Sequence, residues 1–336
     1  VKALVVAVLG LLGILVIGLL LTGVAPATGF KLLFEGAFSD QFAISQSLVR
    51  ATPLLLAGLG VTVAWKAGVF NIGGEGQLLI GAVFGASTAQ LLSKLGIPLV
   101  GTVLVLVSSV LGGAIWAGVA AWLSIKRGVN LVISTILLNF IGLQLLLFGV
   151  DGPLRRKGQS APMTEQLPDS WMLWKPSRQT DLHVGVLLAI LVAVAIGVFL
   201  FRTRSGYLVR ATGANPRFVR ANRINPSAIQ LRVMLLSGGL CGLAGGIQFL
   251  GINGQLTPSF SQQYGFLAIP VALVGGLHPL GVTVSSFFFG ALFAGTSNLA
   301  RFGGSGSYFV YIVQGLAVFG LLVHRFVKDR QVEFAQ

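Results

Sequence analysis

The chain alternates between long uncharged apolar stretches and short polar junctions. Residues 3–30, 51–65, 76–93, 95–125, 128–150 and 182–201 contain no Asp, Glu, Lys or Arg, and a further run, 233–300, extends 68 residues without one. A helix needs about 20 apolar residues to cross the hydrocarbon core of a membrane. The pattern therefore predicts helices at 3–22, 51–65, 76–93, 95–125, 128–150 and 182–201, three crossings within 233–300, and a last span at 308–327. Two polar, turn-rich breaks divide the long run: 252–265 (INGQLTPSFSQQYG) and 275–281 (GGLHPLG). The fold class this predicts is all-α: one polytopic transmembrane helix bundle over 1–336, of about ten spans.

Composition closes off the other classes. Hydrophobic residues make up 54% of the chain, charged residues only 10%, and the mean hydropathy is +0.88. A soluble domain carries about 25% charged residues, so a soluble enzyme and a disordered chain are both excluded. The 46 glycines follow no triplet period, which excludes collagen. The single cysteine, Cys241, allows no disulfide framework and no cysteine metal site. The three histidines (His183, His278, His324) stand far apart, so no metal site is expected. The first stretch lacks a small-residue cleavage site before a soluble domain and reads as an anchor rather than a signal peptide.

Charge sets the orientation. With the N-terminus inside, 14 of the 23 bases fall on the cytoplasmic side, seven of them arginines between 202 and 232. Only Glu75, Asp329 and Glu333 among the nine acids fall there too. The positive-inside bias thus favours both termini in the cytoplasm. It also accounts for the net charge of +14 without nucleic acid as a partner. Residues 151–183 become an external loop and 202–232 a cytoplasmic one.

Several polar groups lie inside apolar stretches. Segment 66–77 (KAGVFNIGGEGQ) breaks two hydrophobic stretches with four glycines and gathers Asn71, Glu75 and Gln77. A carboxylate at membrane depth normally faces a polar cavity or a partner, and broken helices persist only where they line protein or water. The competing reading is a cytoplasmic turn, with Glu75 favouring the N-terminus of the next helix; the shortness of 51–65 argues for a re-entrant break. Segment 275–296 repeats the theme: Gly81-Ala82-Val83-Phe84 resembles Gly290-Ala291-Leu292-Phe293, as in a transporter with pseudo-symmetric halves. Asn139 and Gln144 share a broad helix face, available either for packing or for a pore. Gly238, Gly242 and Gly246, at four-residue spacing with Gln248 just after, form a small-residue packing face.

The loop 202–232 has seven arginines and no acid. Asn215-Pro216 and Asn225-Pro226 read as helix-start signals. Between them a two-turn helix over 217–224 would place Phe218 and Ala221 on one side and Arg217 and Arg220 near another. That surface suits either anionic lipid or a cytoplasmic partner protein. A phosphate-binding loop needs Gly-Lys-Ser/Thr, and Gly-Lys does not occur here. If transport is ATP-driven, the ATPase is another subunit.

Three signatures, Lys66–Gln77 (KAGVFNIGGEGQ), Val132–Phe140 (VISTILLNF) and Arg210–Pro226 (RATGANPRFVRANRINP), together with the tail at 305–323, resemble the nucleoside-type permeases of ABC importers. These belong to the wider ribose and branched-chain amino-acid permease superfamily. The likeness extends over roughly 45–325, with a departure around Phe218–Arg220, where members usually carry alanines. It implies a non-enzymatic subunit in a bacterial cytoplasmic membrane, without a cofactor of its own. Its partners would be a second, similar permease, a cytoplasmic ATP-binding subunit that holds ATP-Mg, and an external substrate-binding lipoprotein. By position, Arg210, Asn215, Pro216, Arg217, Phe218, Arg220 and Arg223 correspond to the segment coupled to the ATPase. The stretch Phe70, Asn71, Glu75 and Gln77, with the face around Asn139, corresponds to the substrate path; Gln144 and Gln248 join that candidate set as polar groups in spans. Neutral amides suit a nucleoside because they donate and accept without charge, and Phe70 suits the base. The rival readings are a permease for sugars or branched-chain amino acids, and a proton-coupled secondary transporter with Glu75 as the carrier.

Overall fold

The computed structural model describes residues 24–93, 96–177 and 179–302, together with a few isolated positions outside them. The expected spans 3–22 and 308–327, the tail at 305–323 and both chain ends lie outside the described residues. Helices are α1 (Pro26–Phe38), α2 (Gln41–Lys66), α3 (Gly74–Leu92), α4 (Pro98–Arg127), α5 (Leu131–Asp151), α6 (Gly185–Arg202), α7 (Arg204–Ala214), α8 (Pro216–Ala221), α9 (Pro226–Gln248), α10 (Tyr264–Val274) and α11 (Pro279–Phe302). Among the described residues six helices are long and apolar enough to cross a membrane: α2, α4, α5, α6, α9 and α11. The protein is an all-α, multi-pass bundle.

Local signals fix the ends of these helices. Proline stands first in α4, where a missing N–H costs nothing, and Gly128 closes it in the left-handed region at φ 68°. Asn130 starts α5, its side chain accepting from the N–H groups of Val132 and Ile133. The two Asn-Pro pairs work in the same way. Asn215 Oδ1 accepts from Arg217 and Phe218 N–H, and Asn225 Oδ1 from Ser227 N–H.

Two expectations need correcting. The stretch 51–65 is part of a 26-residue helix that begins at Gln41 and carries Arg50 within it. A charge does not end a helix when it has a polar setting, and Arg50 lines a cavity with Glu35 and Asp40. The run 233–300 contains two long helices and one short one rather than three crossings. At 11 residues α10 is about 16 Å long, half the hydrocarbon core.

The chain divides into two compact units, Ala51–Ser286 and Val1–Arg50 with Phe287–Gln336. In the second of these, Asn298 Nδ2 donates to Leu32 O at 2.9 Å. Leu19, Val24, Leu33 and Leu299 form its apolar core.

In the larger unit α9 is deeply buried: its apolar stretch is 83% covered, with α2 at 89%, against 33%, 28% and 33% for α4, α5 and α6. Those three expose broad apolar faces, as lipid-facing helices do. The burial of α9 depends on small residues. Ser109, Gly113 and Ala117 on the buried face of α4 meet Gly238, Gly242 and Gly246 of α9. A Cβ on Gly242 would lie 2.2 Å from Ser109 O, so only glycine lets the backbones come this close. The packing role expected for the glycine stripe is what the structure has.

At its far end α9 widens into a π-helical turn, Phe249–Asn253. Such turns free a carbonyl from the regular ladder, and Leu250 O accepts from Leu173 N–H at 2.9 Å. The 151–183 segment is pinned along this turn. Leu167 N–H donates to Gly254 O and Thr164 N–H to Leu256 O, while Trp171 is buried against Gly101.

Candidate functional site

Residues 67–73, between α2 and α3, are not helical. Gly68, at φ 73°, stops α2, and Val69 N–H returns to Ala64 O. Non-helical backbone in an apolar bundle leaves N–H and C=O groups without helical partners, and each must be satisfied by protein. Here amide side chains satisfy them. Asn139 Oδ1 accepts from Gly76 N–H at 2.8 Å, and its Nδ2 donates to Ile72 O at 2.9 Å. One side chain thus ties α5 to the end of the break and to the first turn of α3. Thr135, one turn earlier, accepts from Ile72 N–H at 3.4 Å.

Asn71 and Gln77 form a reciprocal amide pair. Asn71 Nδ2 donates to Gln77 Oε1 at 3.0 Å and to Ser237 Oγ of α9 at 2.9 Å. Gln77 Nε2 donates to Asn71 Oδ1 at 2.9 Å, which also accepts from Gly73 N–H. All three amides, Asn71, Gln77 and Asn139, are buried. Asn139 is the ninth residue of α5, so this clasp lies about 12 Å along that helix from its start.

Glu75 completes the cluster. It is buried in the first turn of α3, and its Oε2 accepts from Gly265 N–H at 2.8 Å. The carboxylate therefore faces the starts of two helices, α3 and the half-length α10, where free N–H groups and the helix dipole favour negative charge. The approach requires glycine: a Cβ on Gly265 would meet Glu75 N at 2.2 Å.

Phe70 is about half exposed at the edge of this break and packs edge-on against Trp65, with ring centroids 5.2 Å apart. Trp65 Nε1 donates to Asn71 O at 3.4 Å. The structure thus gathers Phe70, Asn71, Glu75, Gln77 and Asn139. It places the other two candidates elsewhere. Gln144 is exposed and lines a separate cavity with Phe148, Asp151 and Pro258. Gln248 donates to Asn253 Oδ1 within the π-helical turn. Sequence reasoning left out Trp65, Ser237 and Gly265. Ser237 sits in a Ser-Gly-Gly run that reads as packing, and Gly265 contributes only a backbone N–H.

The arginine-rich segment consists of α7, α8 and the start of α9. The helix expected over 217–224 spans Pro216–Ala221 instead. Arg223 enters the left-handed region at φ 60°, and Ile224 N–H turns back to Val219 O. Its inward residue is Val219, while Arg217, Phe218, Arg220 and Ala221 are all exposed. The guanidinium of Arg210 lies over the Phe201 ring, 5.1 Å from its centroid. Asn215 and Pro216 start α8. The segment touches the break directly: a Cβ on Gly213 of α7 would meet Lys66 O at 2.2 Å and Gly68 N at 2.9 Å. Among the described residues no group of three or more His, Cys, Asp or Glu side chains has an arrangement that could hold a metal ion.

Comparison with known proteins places this geometry in a family. The family model described as branched-chain amino acid transport system / permease component matches residues 43–322. The glucose ABC transporter permease protein TsgB13 of Haloferax volcanii is 33% identical over 98% of this chain and 89% of its own length. The guanosine ABC transporter permease protein NupP of Bacillus subtilis is 29% identical over 89% of this chain and 86% of its own length. The nucleoside ABC transporter permease protein NupB of Lactococcus lactis is 29% identical over 84% of this chain and 79% of its own length. The chain belongs to the family of ABC permease components of the branched-chain amino acid transport type.

Proposed function

We propose that this chain is the membrane-spanning subunit of an ATP-driven importer and that its cargo is a nucleoside. The observation that carries the cargo reading is the juxtaposition of a half-exposed aromatic pair, Phe70 and Trp65, with neutral amides at Asn71, Gln77 and Asn139. A nucleoside has an apolar base that stacks on an aromatic ring and a sugar whose hydroxyls exchange hydrogen bonds with amides. In the closed arrangement the amides are paired with one another and with the backbone. Opening the break would let cargo hydroxyls take over those bonds, so passage through it exchanges partners without creating a buried charge. Binding in such a path is weak, and capture belongs to a separate external binding protein.

The basic end of the larger unit, with Lys66, Arg210, Arg217 and Arg220, is assigned to the cytoplasm on the charge rule. There α8 and its neighbours meet an ATP-binding subunit that holds ATP-Mg. The 151–183 segment then faces outside, and a second permease completes the path. A non-helical break about 12 Å along α5 and the half-length α10 support alternating access by rocking around a fixed site.

The Haloferax relative, named for glucose, supports a second reading in which the cargo is a hexose. Uptake of labelled guanosine into cells expressing the assembled importer separates the two. Excess unlabelled adenosine or guanosine should suppress it, while glucose, ribose and leucine should not. Suppression by glucose at the same excess would replace the nucleoside reading with the sugar one.

A further inference from the structure

A groove of about 340 Å³ runs along α6 where it faces the first residues of α11. Ile190, Val194, Gly197 and Val198 form one wall, and Pro279 and Leu280 the other. From Ile190 to Arg202 the helix extends about 18 Å, close to the depth of one leaflet, half of the roughly 30 Å core. The groove ends at a cationic lip. Arg202 lies on it, and the His278 ring stacks on Phe201 at 4.9 Å between centroids. Arg210 stands over the same Phe201 ring, its Nε buried without a hydrogen-bond partner. The segment 202–232 has no acid. The ion pairs among the described residues (Lys31 with Glu35, Arg155 with Asp151, Lys175 with Asp181) involve neither arginine.

We propose that this groove is a binding site for an anionic glycerophospholipid, with one acyl chain lying along α6 and the phosphate at the Arg202 lip in the field of Arg210. The apolar length calls for a chain, and the unneutralised cations call for a negative headgroup rather than a zwitterionic one. Arg202 ends its span, which sets it at headgroup level. The bound lipid would brace the junction between α6, α7 and the start of α11, next to the arginine-rich segment. The site does not depend on the identity of the cargo.

The test uses the intact chain, purified in mild detergent with whatever subunits it retains. Phosphatidylglycerol and phosphatidylcholine are added in turn, and bound lipid is counted by native mass spectrometry. Phosphatidylglycerol should be retained over phosphatidylcholine by about fivefold per basic group near the headgroup. Arg202→Gln should lower that preference by about the same factor while leaving chain binding in place. Gly197→Leu should reduce retention of both lipids. A Cβ there has only Pro279 Cβ within 4 Å, at 3.8 Å, so the new side chain has room to fill the groove. Equal retention of the two lipids by the wild type, unchanged phosphatidylglycerol retention in Gly197→Leu, or displacement of the lipid by inorganic phosphate would each overturn the proposal. If Gly197→Leu does not fold, the Arg202→Gln preference decides alone.

Discussion

Replacing Asn139 by leucine keeps the side chain's branched shape, with somewhat more bulk, and removes both of its hydrogen bonds. Gly76 N–H and Ile72 O then lose their partner. Neither has a helical neighbour to turn to, because Ile72 lies in the break and Gly76 is in the first turn of α3. A buried backbone group left unpaired costs about 1–3 kcal/mol. Side-chain hydrogen bonds measured within bilayers average nearer 0.6 kcal/mol, because the unfolded reference state also finds partners. Two lost bonds at buried positions therefore cost about 2–4 kcal/mol, a fall in thermal midpoint on the order of 5–10 °C. The control is Gln144→Leu, the same chemical change on the same helix at an exposed position, expected to stay within about 0.5 kcal/mol of wild type.

Thermal unfolding of the detergent-solubilised protein, followed by tryptophan fluorescence, measures the difference, and Trp65 reports from inside the cluster. Equal midpoints for the two variants would refute the clasp. Loss of uptake in Asn139→Leu without a change in midpoint would also refute it, and would assign Asn139 to direct cargo contact.

Three further outcomes follow from the same geometry. Glu75→Gln keeps an oxygen to accept from Gly265 N–H and should cost only about 1 kcal/mol, the difference between a charged and a neutral acceptor; uptake should survive, unaffected by an uncoupler while ATP is held constant, whereas a proton carrier would lose it entirely. Gly213→Val drives a side chain into Lys66 O and should lower uptake about 2–30-fold while the partner's ATP hydrolysis continues, so parallel loss of both activities would count against a mechanical role. Burial, with Lys175 adding to it and Asp181 opposing, pulls the His183 pKa down to about 4; the unfolded state then binds more protons between pH 6.5 and 4, so stability falls as pH drops through that window, by up to about 3 kcal/mol. His183→Asn should flatten that pH dependence of the thermal midpoint, and an unchanged slope would show that His183 does not cause it.

Helices α4, α5 and α6 were legible to within three residues of either end, because charges at Lys126, Asp151 and Arg202 close their apolar stretches; their starts fall three residues inside those stretches, where Pro98 and Asn130 act as local signals that counting charges does not read. The extent of α2 was not, since bounding spans by charge treats Arg50 as a terminator when a polar cavity accepts it. The half-length of α10 was legible but overridden: the breaks at 252–265 and 275–281 leave only nine residues between them, yet dividing the 68-residue run by the length of a span counts that piece as a crossing. The candidate cluster divides along similar lines. Asn71, Glu75, Gln77 and Asn139 could be nominated because polar groups in an apolar bundle need partners. Their partners could not be named, because most are backbone: Gly76 N–H, Ile72 O, Gly265 N–H. Gln144 met the same nomination rule and proved exposed, because polarity alone does not say which face of α5 is covered.

The contact between Gly213 and the Lys66–Gly68 corner connects the arginine-rich segment with the amide clasp. Flexible side chains absorb small displacements by changing rotamer, but here backbone meets backbone, and a Cβ has no room. A shift of α7 toward α2 must therefore move the corner itself. Beyond the corner the chain is not helical until Gly74, so no helical hydrogen-bond ladder takes up the shift. The next fixed points are Asn71, held by Gln77 and Ser237, and Ile72, held by Asn139 and Thr135. Those four partners lie on α3, α9 and α5. A push on the segment is then delivered to three helices at about the depth where α10 begins. Packed interfaces of this kind shift between discrete arrangements rather than deforming smoothly. If the importer opens through this break, as proposed, the hydrogen bonds at Asn71 and Asn139 are the first fixed points such a shift meets, and Asn139→Leu should then ease opening as well as lower stability.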